Sequence, residues 1–302
     1  MADFPVCALR SVELQTPDIR LSEHFYTSVW GLQIVARNGP DIYLRAAGRD
    51  HHVLVLRPGD GAEILAITFR ASSKEALDRV EESAHMYGAS VLDRSTATDD
   101  PAGGIQLVLS DFQRRTIRIV CDDARHDSEL RLDYCPLRLS HVNLNSSDIA
   151  STERFFEMVL GLKVTDRSKA MTFIRCNSDH HAVVLATAPG DTLNHIAFMM
   201  EDYEAVMRAS GRMIDAGYPI GWGVGRHGPG NNIFSYFLDP TGFVIEYTAD
   251  VLQVNDSYRV GGPEDWTWPP GRTDLWGIAP PKSEAVKRAQ LAIPFSLKLQ
   301  ER

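Results

Sequence analysis

The chain has 302 residues, a formal net charge of −9, and 44% apolar and 24% charged residues, which is typical of a globular protein with a substantial core. The negative charge argues against nucleic acid as a main partner, and no apolar run approaches the roughly 20 residues that cross a bilayer. Its four cysteines show no C-x-x-C spacing and predict free thiols. The first residues lack a basic segment followed by an apolar core, so we expect a cytoplasmic protein.

An internal repeat organises the chain. Residues 9–59 contain an alternating strand, an Asp-Ile pair, an amphipathic helix with aromatic residues, a W-G-L sequence, and Asp-His-His ahead of a β-rich run. Residues 139–190 repeat this order 130 residues later, with L-G-L in place of W-G-L. Self-similarity of this length indicates a duplicated domain.

Each half continues with a second unit of the same kind. Period-3.6 patterning predicts helices at 74–87 and 203–216. Alternation and β-branched or aromatic content predict strands at 63–69, 89–92, 105–110, 116–120, 193–199, 233–238 and 243–248. The prediction is an α+β fold of four βαβββ modules in two barrel-like domains, with these limits: an N-terminal domain at 1–121, a charged linker at 122–136, a C-terminal domain at 137–250 and an extension at 251–302.

The extension carries several prolines together with Trp266, Trp268 and Trp276. Tryptophan side chains bury large apolar areas. We therefore expect an ordered segment that buries these side chains against the C-terminal domain.

One carboxylate is anomalous in the last strand of the C-terminal domain. Glu246 lies in the apolar sequence F-V-I-E-Y, where a buried charge is costly unless a cation binds it. His141 and His195 lie in the opening strands of the two modules of that half, and alternation turns both away from the apolar face. Two imidazoles and one carboxylate with open positions form the facial triad of non-haem Fe(II) sites. By counting, the N-terminal half lacks these ligands at the matching positions, Ser11, Ala66 and Ile119.

Several short sequences resemble those of type I extradiol ring-cleaving dioxygenases, of the vicinal-oxygen-chelate superfamily. Within 225–250 the order is G-R-H, S-Y, D-P-T-G and I-E-Y. The sequences L-S-H-V-N-L, N-S-D-H-H and N-H-I-A-F match as well, and the resemblance covers residues 8–250.

The resemblance implies a role for each matching residue. It implies metal ligation by His141, His195 and Glu246, with the metal site in the C-terminal domain alone. It assigns acid–base catalysis to His181, and contacts with the substrate or the metal's surroundings to the following residues: Tyr236, His227 and Asn143. It further implies Fe(II), with Mn(II) also suited to these ligands, O2 as co-substrate, a small aromatic diol as substrate, and a homo-oligomer. The ring would be cut beside, not between, the two hydroxyls.

Other assignments rest on less. Because Asp-His-His occurs in both halves, a structural role is the alternative to catalysis for His181. Trp222, Met171 and Phe173 are candidate pocket residues. Arg272 could form a charge-assisted pair with a substrate carboxylate, or could be a surface residue. Two alternatives concern the whole protein, namely a glyoxalase-like metal-dependent lyase or isomerase, and a metal-free small-molecule-binding protein.

Overall fold

The computed structural model describes residues 4–95, 97–130 and 132–297. The first half contains two βαβββ modules in sequence. The first module comprises β1 (Val6–Thr16), α1 (Ile19–His24), β2 (Gln33–Asn38), β3 (Asp41–Arg45) and β4 (Leu54–Pro58). The second comprises β5 (Glu63–Ala71), α2 (Lys74–Tyr87), β6 (Ser90–Ser95), β7 (Ile105–Ser110) and β8 (Thr116–Cys121).

The second half repeats this order. Its first module comprises β9 (Arg138–Ser146), α3 (Ile149–Arg154), β10 (Lys163–Arg167), β11 (Met171–Arg175) and β12 (Val183–Thr187). Its second module comprises β13 (Thr192–Met199), α4 (Tyr203–Asp215), β14 (Trp222–Arg226), β15 (Ile233–Leu238) and β16 (Val244–Ala249). The later segment contains α5 (Glu284–Ala289) and β17 (Ile293–Pro294). The duplicated α+β architecture is confirmed.

The two sheets have the same topology. The first runs β2-β3-β4-β1-β5-β8-β7-β6, and the second runs β10-β11-β12-β9-β13-β16-β15-β14. In each sheet the opening strands of the two modules pair antiparallel at the centre. Each opening strand also pairs parallel with the last strand of its own module. A side chain on the inner face of an opening strand therefore lies next to side chains from the last strand of its own module and from the opening strand of the other module in its sheet.

The halves share one hydrophobic core. Trp30, which ends the helical turn after α1, is fully buried and stacks on Tyr247 of β16 with ring centroids 3.7 Å apart. The Tyr247 hydroxyl donates a hydrogen bond to the Trp30 carbonyl at 2.8 Å. Tyr26 donates similarly to Asp239. The contacts of Trp30 hold β16, and the contact of Tyr26 holds the turn before β16, against the first half.

Local signals explain which elements the sequence predicts well. Ser73 caps the start of α2 by accepting a hydrogen bond from the Ala76 amide, and Gly88 ends the helix in the left-handed conformation. The strand β14 was not predicted. It contains Gly223 and Gly225, and glycine weakens a strand pattern.

The segment after β16 packs on both sheets. β17 pairs with β13, and Phe295 bridges to Ile64 of β5. The expectation that the tryptophans are buried there is wrong in part, because Trp268 and Trp276 keep 37% and 42% of their surface exposed. The domain limits stay predictions. Within the described residues, no helix is long and apolar enough to cross a membrane.

Candidate metal centre and active site

His141, His195 and Glu246, here called the ligand triad, meet on the inner face of the second sheet. Strand β13 lies between β9 and β16, and its Ala197 is the register partner of both His141 and Glu246. The two Nε2 atoms are 3.1 Å apart, and they lie 3.3 Å and 3.1 Å from the same oxygen of Glu246, Oε2. All three side chains are at most 4% exposed.

The ligand triad fits a divalent metal ion. Ligand atoms at about 2.1 Å from a metal and at right angles to one another are about 3.0 Å apart. Neither oxygen of Glu246 accepts a hydrogen bond from any described residue, although the side chain is fully buried. The outer Nδ1 of His195 donates to Asn194 Oδ1 at 2.9 Å, and that of His141 lies 3.3 Å from Ser140 Oγ. Such contacts orient metal-binding imidazoles.

The electrostatics favour a charged Glu246 carboxylate beside a neutral His195 imidazole. Burial alone would raise the pKa of Glu246, but the neighbouring His141 and His195 outweigh it and lower that pKa. Burial lowers the pKa of His195 to about 4, against the opposing effect of Glu246. Neutral imidazole and ionised carboxylate are the forms that bind metal.

A cavity of about 290 Å³ opens over the ligand triad. Its walls include both ligand histidines together with several apolar side chains, among them Met171, Phe173, Val184, Trp222, Trp266 and Trp268. Met171, Phe173 and Trp222 were predicted from sequence as pocket residues. The size is near the lower end for small-molecule sites, which suits a ligand with one or two rings.

His181 lines this cavity on the side of His141, with ring centroids 4.5 Å apart. It is 2% exposed. Burial lowers its pKa well below the usual value, and the neighbouring imidazoles add to the effect. Gly230 has φ of +78°, and a Cβ there would lie 2.7 Å from the His181 ring. Glycine is therefore required where this loop covers the imidazole.

Tyr236 and His227 also line the cavity, and Tyr236 lies on the side of His195. The Tyr236 hydroxyl lies 3.1 Å from His227 Nε2, and the Tyr236 ring meets the His195 ring edge-on at 5.0 Å. Burial raises the pKa of Tyr236 well above its usual value, and the nearby Glu246 adds to this. Burial lowers the pKa of His227 to about 3. Tyr236 is thus a phenol that can donate a hydrogen bond to a ligand.

Asn143 also reaches the cavity, and Arg272 does not. Asn143 is 3% exposed, and its Oδ1 has no hydrogen-bond partner among the described residues. The Arg272 side chain is exposed and packs beside Gly277, outside the cavity wall. The structure therefore does not place Arg272 where it could bind a substrate in the cavity.

Lys282 is a cavity residue that sequence reasoning missed. Its Nζ lies 4.4 Å from the Trp222 ring centroid and 5.9 Å from that of Tyr236, and it donates to Gln290 Oε1 at 2.8 Å. Burial lowers its pKa to about 8, with an opposing effect from Glu246. Only its position just before the helix-capping Ser283 of α5 could have been noticed in the sequence.

The first half contains an ion pair at the position of the ligand triad. Pairing of β5 with β8 puts Arg118 opposite Thr68, as pairing of β13 with β16 puts Glu246 opposite Ala197. Arg118, not Ile119, is therefore the counterpart of Glu246, and the count from sequence was wrong by one residue. Arg118 pairs with Glu13. The first half thus has a cation where the second half has its ligand carboxylate, and Glu13 neutralises that cation.

Comparison with known proteins agrees with this architecture. A family model described as "Glyoxalase/Bleomycin resistance protein/Dioxygenase superfamily" matches residues 138–247. The crystal structure of an Mn(II)-bound glyoxalase from Novosphingobium aromaticivorans is 32% identical with a TM-score of 0.86, covering 93% of this chain and 94% of that one. The chain belongs to the Glyoxalase/Bleomycin resistance protein/Dioxygenase superfamily.

Two further relatives of this chain are named metapyrocatechases. Metapyrocatechase 2 from Cupriavidus necator is 37% identical over 139 residues, which are 45% of this chain and 41% of the relative. Metapyrocatechase from Geobacillus stearothermophilus is 25% identical over 93% of this chain and 92% of the relative. The more similar of these two matches thus spans less than half of the relative's length.

Proposed function

We propose that this protein is an extradiol dioxygenase, which uses O2 to open the ring of a catechol-type diol beside its two hydroxyls. The observation that carries the proposal is the ligand triad at the base of a mostly apolar cavity, with an imidazole and a phenol in its walls. Both oxygen atoms of O2 enter the product. The names of the two metapyrocatechase relatives support this reaction class.

The metal that we propose is Fe(II). When bound by two histidines and one carboxylate, it supplies open coordination positions for the diol and for O2. Mn(II) suits the same ligands, and the similar glyoxalase structure holds Mn(II). We therefore expect Fe(II) to restore more ring-cleaving activity to the metal-free protein than Mn(II) does.

The protein side chains orient the diol. The apolar and aromatic walls enclose the ring and exclude water. The Tyr236 hydroxyl donates a hydrogen bond to one diol oxygen, and His227 holds that hydroxyl in place from 3.1 Å. On the side of His141, His181 faces the diol as a neutral imidazole, because burial lowers its pKa. A neutral imidazole takes up a proton from the substrate and returns it later in the reaction.

Lys282 favours a negatively charged ligand in this cavity. Within the described chain no salt bridge neutralises its ammonium group, which lies over Trp222 and is hydrogen-bonded to the neutral Gln290. Lys282 is half-buried, and partial removal of a charge from water without an opposite partner is costly. An ionised diol supplies the missing negative charge, and the proposed reaction requires the diol to lose protons.

A glyoxalase-like lyase or isomerase is the second candidate. It is favoured by the 32% identity to the Mn(II)-bound glyoxalase over nearly the whole chain. That reaction consumes no O2. It gives no reason for the paired Tyr236 and His227 on the cavity wall, which is why we prefer the dioxygenase.

A single experiment separates the two. Protein loaded anaerobically with Fe(II) is mixed with a panel of substituted catechols in aerated buffer, and O2 uptake is recorded together with the visible spectrum. The dioxygenase predicts a yellow ring-opened product and one O2 consumed per diol. Turnover of the hemithioacetal of glutathione and methylglyoxal without O2, and none of the catechols, would establish the lyase instead.

A further inference from the structure

Three buried side chains form a hydrogen-bonded chain that ends at the cavity. Asp166 Oδ2 lies 2.7 Å from His180 Nε2, and His180 Nδ1 lies 3.1 Å from His181 Nδ1. Asp166 and His180 are fully buried, and His181 is 2% exposed. We propose that Asp166, acting through His180, holds His181 in the tautomer that carries its proton on Nδ1, so that Nε2 is the proton-accepting atom that faces the cavity.

The direction of the chain follows from the donors around Asp166. Its Oδ1 accepts a hydrogen bond from the Gly261 amide at 2.7 Å, and its Oδ2 accepts one from the Tyr258 hydroxyl at 3.1 Å. A carboxylate only accepts hydrogen bonds, so His180 donates to it from Nε2. A neutral imidazole has one donor and one acceptor nitrogen. His180 Nδ1 is then the acceptor, and His181 Nδ1 is the donor.

The first half provides an internal comparison. His51 and His52 repeat the contact, with their Nδ1 atoms 3.1 Å apart. There, Nε2 of His52 faces Arg10 Nη1. Because a guanidinium can only donate, His52 also carries its proton on Nδ1. Its Nε2 is occupied by Arg10 and is no longer available as a base.

The carboxylate occurs only in the half that contains the ligand triad. Asp166 pairs with Phe173 in the register between β10 and β11, and Ala36 pairs with Tyr43 at the same point of β2 and β3. The first half therefore fixes the tautomer of its histidine from the Nε2 side and has alanine in place of the aspartate. In the second half, His181 Nε2 must stay free to accept a proton in the cavity. The tautomer of His181 is therefore fixed through its Nδ1, by Asp166 acting through His180.

The segment after β16 completes the arrangement. Tyr258 and Gly261 both belong to it, and a Cβ on Gly261 would lie 2.7 Å from Asp166 Oδ1. Burial, with Asp166 adding to the effect, raises the pKa of Tyr258 to about 12, so the hydroxyl remains a donor. Asp166 is a positioning residue, because it touches neither the cavity nor the ligand triad.

The test reads the tautomer directly and rests on the proposed function only for its catalytic consequence. Long-range ¹H–¹⁵N spectra of ¹⁵N-histidine-labelled protein loaded with Zn(II), a diamagnetic probe, assign the proton of His181, and His181→Gln identifies its signals. We expect a protonated Nδ1 and an unprotonated Nε2. A His181 that carries its proton on Nε2, or a His180 that is protonated on both nitrogens, overturns the proposal in the wild-type protein without any variant at Asp166.

Variants then test the direction of control. Asp166→Asn offers an amide N–H to His180 Nε2, which reverses both hydrogen bonds and moves the His181 proton to Nε2. We expect this switch and a loss of kcat of about 100-fold or more with the Fe(II) enzyme. The matched control is Asp179→Asn, which removes a carboxylate next to His180 that pairs instead with Arg138. It should leave the tautomer and kcat unchanged.

The outcomes separate the two claims. An unchanged tautomer in Asp166→Asn refutes control by Asp166. A switched tautomer with unchanged kcat supports that control and refutes the use of His181 in the proposed reaction. If Asp166→Asn does not fold, the wild-type spectrum still decides the tautomer.

Discussion

Glu246 and Arg118 occupy the same register position in the two sheets. In the second half, the carboxylate faces His141 and His195, and none of the described residues donates a hydrogen bond to it. In the first half, the guanidinium takes the same place and pairs with Glu13. One sheet thus supplies its own cation, while the other leaves a buried negative charge that a metal can neutralise.

This relationship predicts one metal ion per chain. Elemental analysis of protein reconstituted with Fe(II) under argon should give one equivalent of iron per chain. Glu246→Gln should retain little iron, because the two remaining imidazole ligands are neutral and do not offset the charge of the metal ion. Glu13→Gln is the matched control in the first half. It should keep one equivalent of metal, and a second equivalent in the wild-type protein would contradict the asymmetry.

Replacement of His181 should separate metal binding from turnover. His181 lines the cavity but is not part of the ligand triad. We expect His181→Ala to retain the metal and to lower kcat by about 10²- to 10⁴-fold, which is the usual contribution of an acid–base group. The control is His52→Ala, the repeat-equivalent change, which should lower stability but not kcat. Full activity in His181→Ala would show that no proton passes through this imidazole.

Lys282 should affect the affinity for the ionised diol. Loss of a hydrogen bond to a charged group costs about 1.5–3 kcal/mol, which corresponds to a decrease of about 10- to 160-fold in kcat/KM for Lys282→Met. Lys169→Met is the control, because Lys169 is an exposed lysine at the cavity. Equal kcat/KM values for the two variants would show that the Lys282 ammonium group does not contribute to substrate binding.

The metal-free protein should lose stability in mild acid. Burial holds the pKa of His195 at about 4, below the 6.5 of the unfolded chain. The unfolded state therefore binds more protons between these values, and the free energy of unfolding falls as the pH drops. From pH 8 to pH 5 this group contributes a loss of about 2 kcal/mol. Urea titrations in EDTA should show a loss smaller by that amount in His195→Gln, and parallel curves for both proteins would refute the assignment.

Much of the fold could be predicted from the sequence because the two halves of the chain repeat the same order of elements. The repeat indicated four modules, and the period-3.6 patterning predicted α2 with the limits that the structure has. The alternation of β9, β13 and β16 was sufficient to bring His141, His195 and Glu246 together. The counterpart of Glu246 was missed, because only strand pairing, and not counting along the chain, distinguishes Arg118 from Ile119.

Contacts between distant segments were not accessible from sequence. Lys282 reaches the cavity from a segment without periodic pattern, and Arg272 in the same segment stays outside it. Asp166 and His180 are 14 residues apart, and their contact depends on the pairing of β10 with β11 and on the cover by Tyr258 and Gly261. Cytoplasmic location and homo-oligomer formation stay predictions.

The proposed function requires O2 as a substrate and the entry of both of its atoms into the opened ring. The most direct measurement is mass spectrometry of the product formed from a catechol by the Fe(II) enzyme under ¹⁸O2. We expect a ring-opened product that is heavier by two labelled oxygen atoms, allowing for carbonyl exchange with water, and no such product from Glu246→Gln. A product without label, or an unopened ring after full exposure to O2, would contradict the account.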